Sequence, residues 1–233
     1  MPIRTWLIGL CLLALLPARA LPTFTGPTGM VVLPDALPTP AWVDTAVGVL
    51  DTPNTRGLNV RAVAGSRWGE LGALYERDDR PWWGFNAKVL LMGDGETNGL
   101  GLGVATLDAP SQPDWPGTAT QERVAYLADT AVAAYGSLTL GVSYTYLNDG
   151  VGTEQGVRPF LGGKVHVGEA VEFAAEWQMR TRSLTETDPI TSLMIVYHTN
   201  SLLTTAVGTT NADGWLGTER RYYFAQLGLQ LKP

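Results

Sequence analysis

Residues 157–182 read VRPFLGGKVHV, then GEA, then VEFAAEWQMRTR, and both long arms alternate apolar with polar residues. Alternation with a period of two predicts β-strands that each have one apolar face. The residues GEA between the arms predict a turn that sets His166 opposite Glu172. Lys164 then lies diagonally between Glu172 and Glu176, within reach of long side chains. The stretch therefore predicts a β-hairpin with one hydrocarbon face and one charged face.

Such a hairpin fits two kinds of β-protein. In a water-soluble sandwich or lipocalin-like barrel, the apolar face would form the core and the charges would be solvated. In a membrane barrel, the apolar face would meet lipid and the charged face would line the interior. The hairpin alone does not choose between these interpretations, so the rest of the chain has to decide.

Alternation recurs along the remaining chain, and no segment shows a convincing helical period. About twelve strands are predicted, most near the roughly 9–11 residues that cross a bilayer at a tilt. Besides the two arms of the hairpin, they are Trp42–Leu50, Gly57–Ala64, Trp68–Arg77, Trp82–Leu91, Asn98–Leu107, Arg123–Tyr135, Ser137–Leu147, Ser192–His198, Ser201–Thr209 and Arg221–Leu231.

The lengths of the connections favour the membrane barrel. Connections after odd-numbered strands are predicted at Asp51–Arg56, Asp78–Pro81, Asp108–Glu122, Asn148–Gly156, Ser183–Ile190 and Thr210–Arg220. Those after even-numbered strands are predicted at Gly65–Arg67, Gly93–Thr97, Gly136, Gly168–Ala170 and Thr199–Asn200. Apart from Asp78–Pro81, the odd connections are longer. Short periplasmic turns and longer external loops are typical of antiparallel, up-and-down transmembrane β-barrels, whereas a soluble sandwich has no reason to sort loops in this way.

The N-terminus predicts export. Arg4, an apolar run over residues 6–16 and the small residues around Arg19 are typical of a signal peptide cleaved after Ala20. The sole cysteine lies in that run, and losing the two arginines changes the net charge from −6 to −8. An acidic exported chain argues against nucleic acid as a partner. Residues 21–40, rich in Pro, Gly and Thr, predict an extended segment, and residues 41–233 the barrel domain.

Aromatic residues are concentrated near the predicted strand ends. Trp and Tyr at such positions are typical of the girdles at the two membrane interfaces, although ordinary strand aromatics remain an alternative interpretation. They are Trp42, Trp68, Trp82, Trp83, Trp215, Tyr75, Tyr146, Tyr222 and Tyr223.

The segment Gly26–Ala36, GPTGMVVLPDA, carries a family resemblance. It is similar to the glycine-proline opening of exopolysaccharide-associated and related bacterial outer-membrane barrel proteins, in which G-x-x-G precedes apolar residues and P-x-A. Asp35 stands where Ser or Thr is commoner. The resemblance covers only these residues, and it implies an outer-membrane barrel with a link to envelope polysaccharide.

Few residues suggest catalysis. The predicted pair of His166 and Glu172 could serve a hydrolase, but no serine nucleophile stands out beside it. Asp78 and Asp79 fit a solvated loop, and residues 93–99 lack the features of a phosphate or calcium loop. We therefore expect no catalytic residue, metal or cofactor.

The predicted inward face carries charges of both signs. The acids are Asp44, Glu70, Glu76, Asp129, Glu172 and Glu176, and the bases are Arg61, Lys88, Arg158, Lys164 and Arg180. Such charges either pair and seal a barrel or line a path for solutes. The candidate lumen residues are Lys88, Arg158, Lys164, His166, Glu172, Glu176 and Arg180.

The function expected from the sequence is that of an outer-membrane β-barrel, acting as a narrow pore or an envelope structural protein. Its partners would be outer-membrane lipid and either small solutes or envelope polysaccharide. Two alternatives stay open: a secreted or periplasmic barrel that binds an apolar ligand, and an outer-membrane hydrolase that uses His166.

Overall fold

The computed structural model describes residues 21–23, 28–30, 32–39, 43–51, 56–77, 81–109, 120–148, 152–179, 188–213 and 216–231. The predicted signal peptide and the candidate residue Arg180 lie outside these ranges, as do Trp42 and Trp215. Two short strands, β1 (Leu21–Pro22) and β2 (Thr28–Gly29), pair with each other in a separate two-stranded sheet. No helix within the described ranges is long and apolar enough to cross a membrane.

Twelve antiparallel strands form a closed up-and-down barrel, so the predicted fold is confirmed. Each strand pairs with its neighbours in sequence, and the last strand closes the sheet by pairing with the first, for example at Leu227↔Val47. The strands are β3 (Val43–Asp51), β4 (Arg56–Ser66), β5 (Gly69–Arg77), β6 (Pro81–Gly93), β7 (Asn98–Ala109), β8 (Thr120–Ala133), β9 (Gly136–Asn148), β10 (Thr153–Val167), β11 (Val171–Gln178), β12 (Ile190–His198), β13 (Leu203–Asp213) and β14 (Leu216–Leu231).

The predicted hairpin forms with the expected register. Strands β10 and β11 pair at His166↔Glu172 and Gly162↔Glu176, so the charged side chains share one face. That face points into the barrel: Glu172 and Glu176 are buried, while Phe173 and Trp177 are exposed on the outside.

The outer surface of the barrel is apolar all the way round. Every one of the twelve strands carries at least one large exposed apolar side chain, from Val47 on β3 to Leu227 on β14. This orientation excludes a lipocalin-like protein, because such a barrel turns its apolar face inward. The alternative of a soluble barrel with an apolar core is therefore wrong.

The two ends of the barrel differ. The turn end carries the short connections at residues 67–68, 94–97, 134–135, 168–170 and 199–202, and both Val43 and Leu231 lie there. The opposite end, the loop end, carries the remaining connections. The predicted loop Thr210–Arg220 is wrong, because β13 and β14 continue to pair up to Asp213↔Leu216 with an irregularity between Thr210 and Ala212. Polar residues interrupt the apolar alternation there, but the backbone hydrogen bonds between strands form without that alternation.

Exposed aromatic side chains mark both ends. Trp68 and Tyr197 lie at or near the turn end, and Trp83, Tyr144 and Tyr223 lie toward the loop end. Tyr75 and Trp83 contact each other across β5 and β6, with ring centroids 4.5 Å apart. Tyr222, by contrast, is buried on the inner face, so its predicted place in an interface girdle is wrong.

Asp129 does not lie in the lumen as the sequence predicts. It is exposed on the outer face of β8, paired with Leu100 on β7 and Leu140 on β9. The alternation around it is weak, since small or apolar residues fill both faces of this strand. The register with the leucine-rich neighbouring strands therefore decides the orientation.

One turn-end connection is ordered by a carboxylate. Asp94 Oδ1 accepts hydrogen bonds from the backbone N–H groups of Glu96 (2.8 Å), Thr97 (2.7 Å) and Asn98 (3.0 Å). The Thr97 hydroxyl donates to the other carboxylate oxygen. These donors, led by the Thr97 hydroxyl, hold the pKa of Asp94 well below its ordinary range.

We expect Asp94→Ala to speed amide exchange at Glu96, Thr97 and Asn98, because their common acceptor is lost. Because the pKa is depressed in the folded state, the carboxylate stabilises the turn fully at pH values above the ordinary carboxyl pKa of about 3.9. This stabilisation is lost only as pH falls through the lower folded-state pKa. Wild-type protection factors should therefore persist at about pH 3.5. Equal protection in Asp94→Ala at every pH would contradict this role.

Candidate functional site in the barrel lumen

The lumen contains a stretch of the protein's own chain. This plug segment, the described residues 28–30 and 32–39, precedes the first barrel strand and has every residue from Val32 to Thr39 buried. An antiparallel bridge joins Gly29 to Pro34, and the Met30 N–H donates to the Leu33 carbonyl at 3.0 Å. The segment is thus a compact turn followed by a stretch that bends again at Ala36 and Leu37. It contains most of the GPTGMVVLPDA sequence that carries the family resemblance.

A carboxylate from β11 binds the turn of the plug segment. Glu176 accepts the backbone N–H of Val32 on both oxygens, at 2.9 and 3.1 Å, and the N–H of Leu33 at 3.0 Å. The Glu176 side chain is buried, so these charge-assisted bonds replace the hydration that the carboxylate loses.

An ammonium group from β6 binds the stretch that follows the turn. Lys88 Nζ donates to the carbonyls of Asp35 at 3.2 Å and Leu37 at 2.6 Å, and to Asp35 Oδ1 at 3.2 Å. Glu70 Oε1 lies 3.4 Å from the same nitrogen. Lys164 Nζ on β10 lies 3.6 Å from Asp35 Oδ2, so two lysines flank the one plug carboxylate.

Two further wall side chains accept plug N–H groups. Thr130 Oγ1 on β8 accepts from Ala36 at 2.9 Å, and Glu70 Oε2 on β5 accepts from Thr39 at 2.9 Å. The polar contacts therefore come from strands around much of the barrel wall. Because Glu70 follows the first turn of the barrel directly, the end of the segment at Thr39 lies near the turn end.

Glycines in the wall make room for the segment. A Cβ at Gly162 would overlap the Met30 sulfur, and a Cβ at Gly101 would lie 2.6 Å from the Ala36 carbonyl oxygen. Both glycines face inward, so a larger residue at either position would compete with the segment for space. The wall is shaped for this occupant.

Apolar contacts complete the site and were not foreseen from the sequence. Met30, Leu33 and Ala36 join a buried cluster that includes Tyr126 and Phe160, which project from β8 and β10. Val32 joins a second cluster, whose other members are Ala174, Ile190, Met194, Val196, Ala206, Ala212 and Phe224. The sequence of β12 does indicate an apolar patch inside the barrel, because both faces of this strand are apolar at Leu193, Met194, Ile195 and Val196.

The remaining candidate residues lie elsewhere on the inner wall. Arg158 is fully buried, with Nε donating to the Met179 carbonyl at 3.1 Å and a terminal nitrogen to the Asp188 carbonyl at 3.2 Å. His166 Nδ1 lies 3.3 Å from Glu172 Oε2. The structure thus gathers Lys88, Lys164 and Glu176 around the plug segment, and sets the other described candidates apart.

Residues outside the candidate set also line the lumen. Arg61 donates to Gln226 Oε1 at 2.7 Å, and Gln178 donates to Ser143 Oγ at 2.9 Å. Asp35, Glu70 and Thr130 are plug-site residues that the candidate set omitted. The alternation of β5 predicts that Glu70 faces inward, but nothing in the pattern links it to Thr39.

Across the described ranges, no group of three or more His, Cys, Asp or Glu side chains is placed to hold a metal ion.

Comparison with solved structures supports the fold. The NanC porin aligns with a TM-score of 0.58 and 11% identity, over 82% of this chain and all of that one. The translocator domain of the autotransporter NalP from Neisseria meningitidis aligns with a TM-score of 0.40 and 12% identity, over 83% of this chain and 87% of that one. The second score is too low to support an inference. Neither protein-family models nor curated proteins give a match. The chain is therefore similar in fold to a porin at a level of identity that says nothing about its solute.

Proposed function

We propose that this protein is a bacterial outer-membrane β-barrel that acts as a narrow pore or an envelope structural protein. The observation that carries the proposal is the closed barrel with an apolar outer surface on every strand and ionisable groups buried inside. In hydrocarbon, a closed barrel satisfies the backbone hydrogen bonds of its strands and leaves no open sheet edge. Water offers no comparable reason to expose so much apolar area.

The predicted signal peptide supports an exported protein, and the porin-like fold fits the same location. The partner at the outer surface is membrane lipid, which the apolar belt between the aromatic side chains would contact. Twelve strands give an interior between that of a filled eight-strand barrel and that of an open sixteen-strand porin. With the plug segment inside, such a lumen suits only small solutes.

The first test is the mobility of the protein from the membrane fraction on a detergent gel, without and with boiling. A membrane barrel should migrate as a folded species when unboiled and shift after boiling. Recovery of a soluble protein without a shift would overturn the proposal.

Substitution of Leu140 tests which solvent the outer face meets. Leu140 is 53% exposed and pairs with Leu161 on the adjacent strand. In a bilayer, Leu140→Arg should lower the yield of heat-shifting protein in the outer membrane, because a basic residue near the midplane costs about 2–4 kcal/mol. Leu140→Ala controls for the lost side chain, and Tyr135→Arg at the turn end should cost only about 0–1 kcal/mol. Equal yields of all three would count against lipid exposure.

The enzyme alternative depends on His166. We propose that the His166–Glu172 contact is structural, so His166→Ala should leave membrane assembly and the heat-dependent shift intact. Hydrolysis of a soluble ester substrate, measured on purified protein, should be indistinguishable between wild type and His166→Ala. An esterase activity that disappears with His166→Ala would restore the hydrolase interpretation.

A further inference from the structure

We propose that the plug segment is a displaceable gate: it occupies a peptide-binding site in the lumen, and its withdrawal through the turn end opens the pore. This inference rests on the proposed membrane location and pore function. Four features of the structure carry it.

The barrel wall is complete without the plug segment. All twelve wall strands pair with one another around the closed sheet, whereas the described pairings of β2 are with β1 and, at Gly29, with Pro34 of the plug segment itself. Withdrawal would therefore break no strand-to-strand hydrogen bond in the wall. This separates the segment from a structural strand, whose removal would open the sheet.

The site recognises mainly the backbone of the plug segment. Glu176, Thr130 and Glu70 accept backbone N–H groups, and Lys88 donates to two backbone carbonyls. These are side-chain groups of the wall that water can solvate when the peptide leaves. Side-chain recognition is added by Asp35 between two lysines and by the apolar contacts of the turn.

The wall offers its charges alternative partners. Lys88 already lies 3.4 Å from Glu70 Oε1 while it holds Asp35. Lys164 projects from the same face as Glu172 and Glu176 on the adjacent strand, one diagonal step from each. Loss of Asp35 therefore leaves each lysine with a carboxylate nearby. Two arrangements of the same charges, with and without the segment, are what a two-state gate requires.

The connection to the barrel sets the direction of withdrawal. Thr39 lies near the turn end, and Val43 begins β3 at that same end only four positions later. A segment tethered there can leave the lumen on that side without crossing it. Pore opening would then be controlled from the turn end.

Steric exclusion of the segment provides the first test, on the full-length chain. Gly162→Leu fills the position that Met30 occupies. Gly163→Leu places the same side chain on the outer face one residue further along β10, where its Cβ would lie 3.1 Å from the Ser137 carbonyl oxygen but would not touch the plug segment. Single-channel recordings in planar bilayers should show an open fraction about tenfold or more above wild type for Gly162→Leu, the order expected from overpacking the docked state. Gly163→Leu should match wild type. Equal open fractions for the two folded variants would overturn the gate.

A disulfide across the site provides the second test. The Ala36 nitrogen lies 2.9 Å from Thr130 Oγ1, and the predicted mature chain has no cysteine of its own. Cysteines at positions 36 and 130 should therefore be able to bond, given the roughly 4 Å between Cβ atoms that a disulfide needs. The oxidised double variant should lose channel openings and regain them with reductant, while each single-cysteine variant ignores reductant. Openings that persist with the bond confirmed by mass spectrometry would overturn the gate, as would failure of the bond to form in the folded barrel.

The two proposals can fail separately. A wild-type chain absent from membranes would overturn the outer-membrane proposal itself. A different outcome is a protein that shows the heat-dependent shift in membranes but conducts equally in the oxidised, reduced and Gly162→Leu forms, or in none of them. That result would support the membrane barrel and overturn the gate.

Discussion

Closure of the sheet is the constraint on which the structure depends. A sheet with an apolar outer face cannot leave its edge strands open in hydrocarbon, because each unpaired backbone N–H or C=O there costs several kcal/mol. The pairing of β14 with β3 removes both edges and fixes the number of strands. It also decides the orientation of every side chain, since alternate residues must then face lipid or lumen. Closure of the sheet also creates the interior in which the charged side chains and the plug segment are buried.

The interior combines two kinds of contact that normally exclude each other. Ionisable wall groups such as Lys88 and Glu176 bond to the plug segment, and apolar wall side chains such as Phe160 pack in one cluster with its apolar residues. A buried ion pair contributes little net stability once desolvation is subtracted, so the charges are better understood as selecting the position of the segment than as stabilising the barrel. The apolar turn residues supply the favourable burial. Such a division of roles suits an occupant that binds specifically without being permanent.

Sequence alternation predicts much of this molecule, and its failures have physical causes. The hairpin of β10 and β11, the number of strands and the closed antiparallel topology all follow from a period of two and the positions of turns. The alternation pattern puts Asp129 on the wrong face, because residues on both faces of its strand are apolar or small. The pairing with neighbouring strands sets the register instead. The loop expected at Thr210–Arg220 is largely strand, since pairing continues where apolar alternation stops. The plug contacts could not be predicted, because backbone N–H groups of Val32, Ala36 and Thr39 carry no sequence signature and join residues far apart in the chain.

The contact between Val32 and Glu176 spans 144 positions of sequence. Contacts this distant form late, because the entropy of closing so long a loop must be met before the contact can stabilise anything. The plug segment, which precedes the barrel domain, therefore cannot complete this contact until strand β11 has formed. Docking of the segment thus depends on strands far along the chain, whereas the pairing of the wall strands does not depend on the segment.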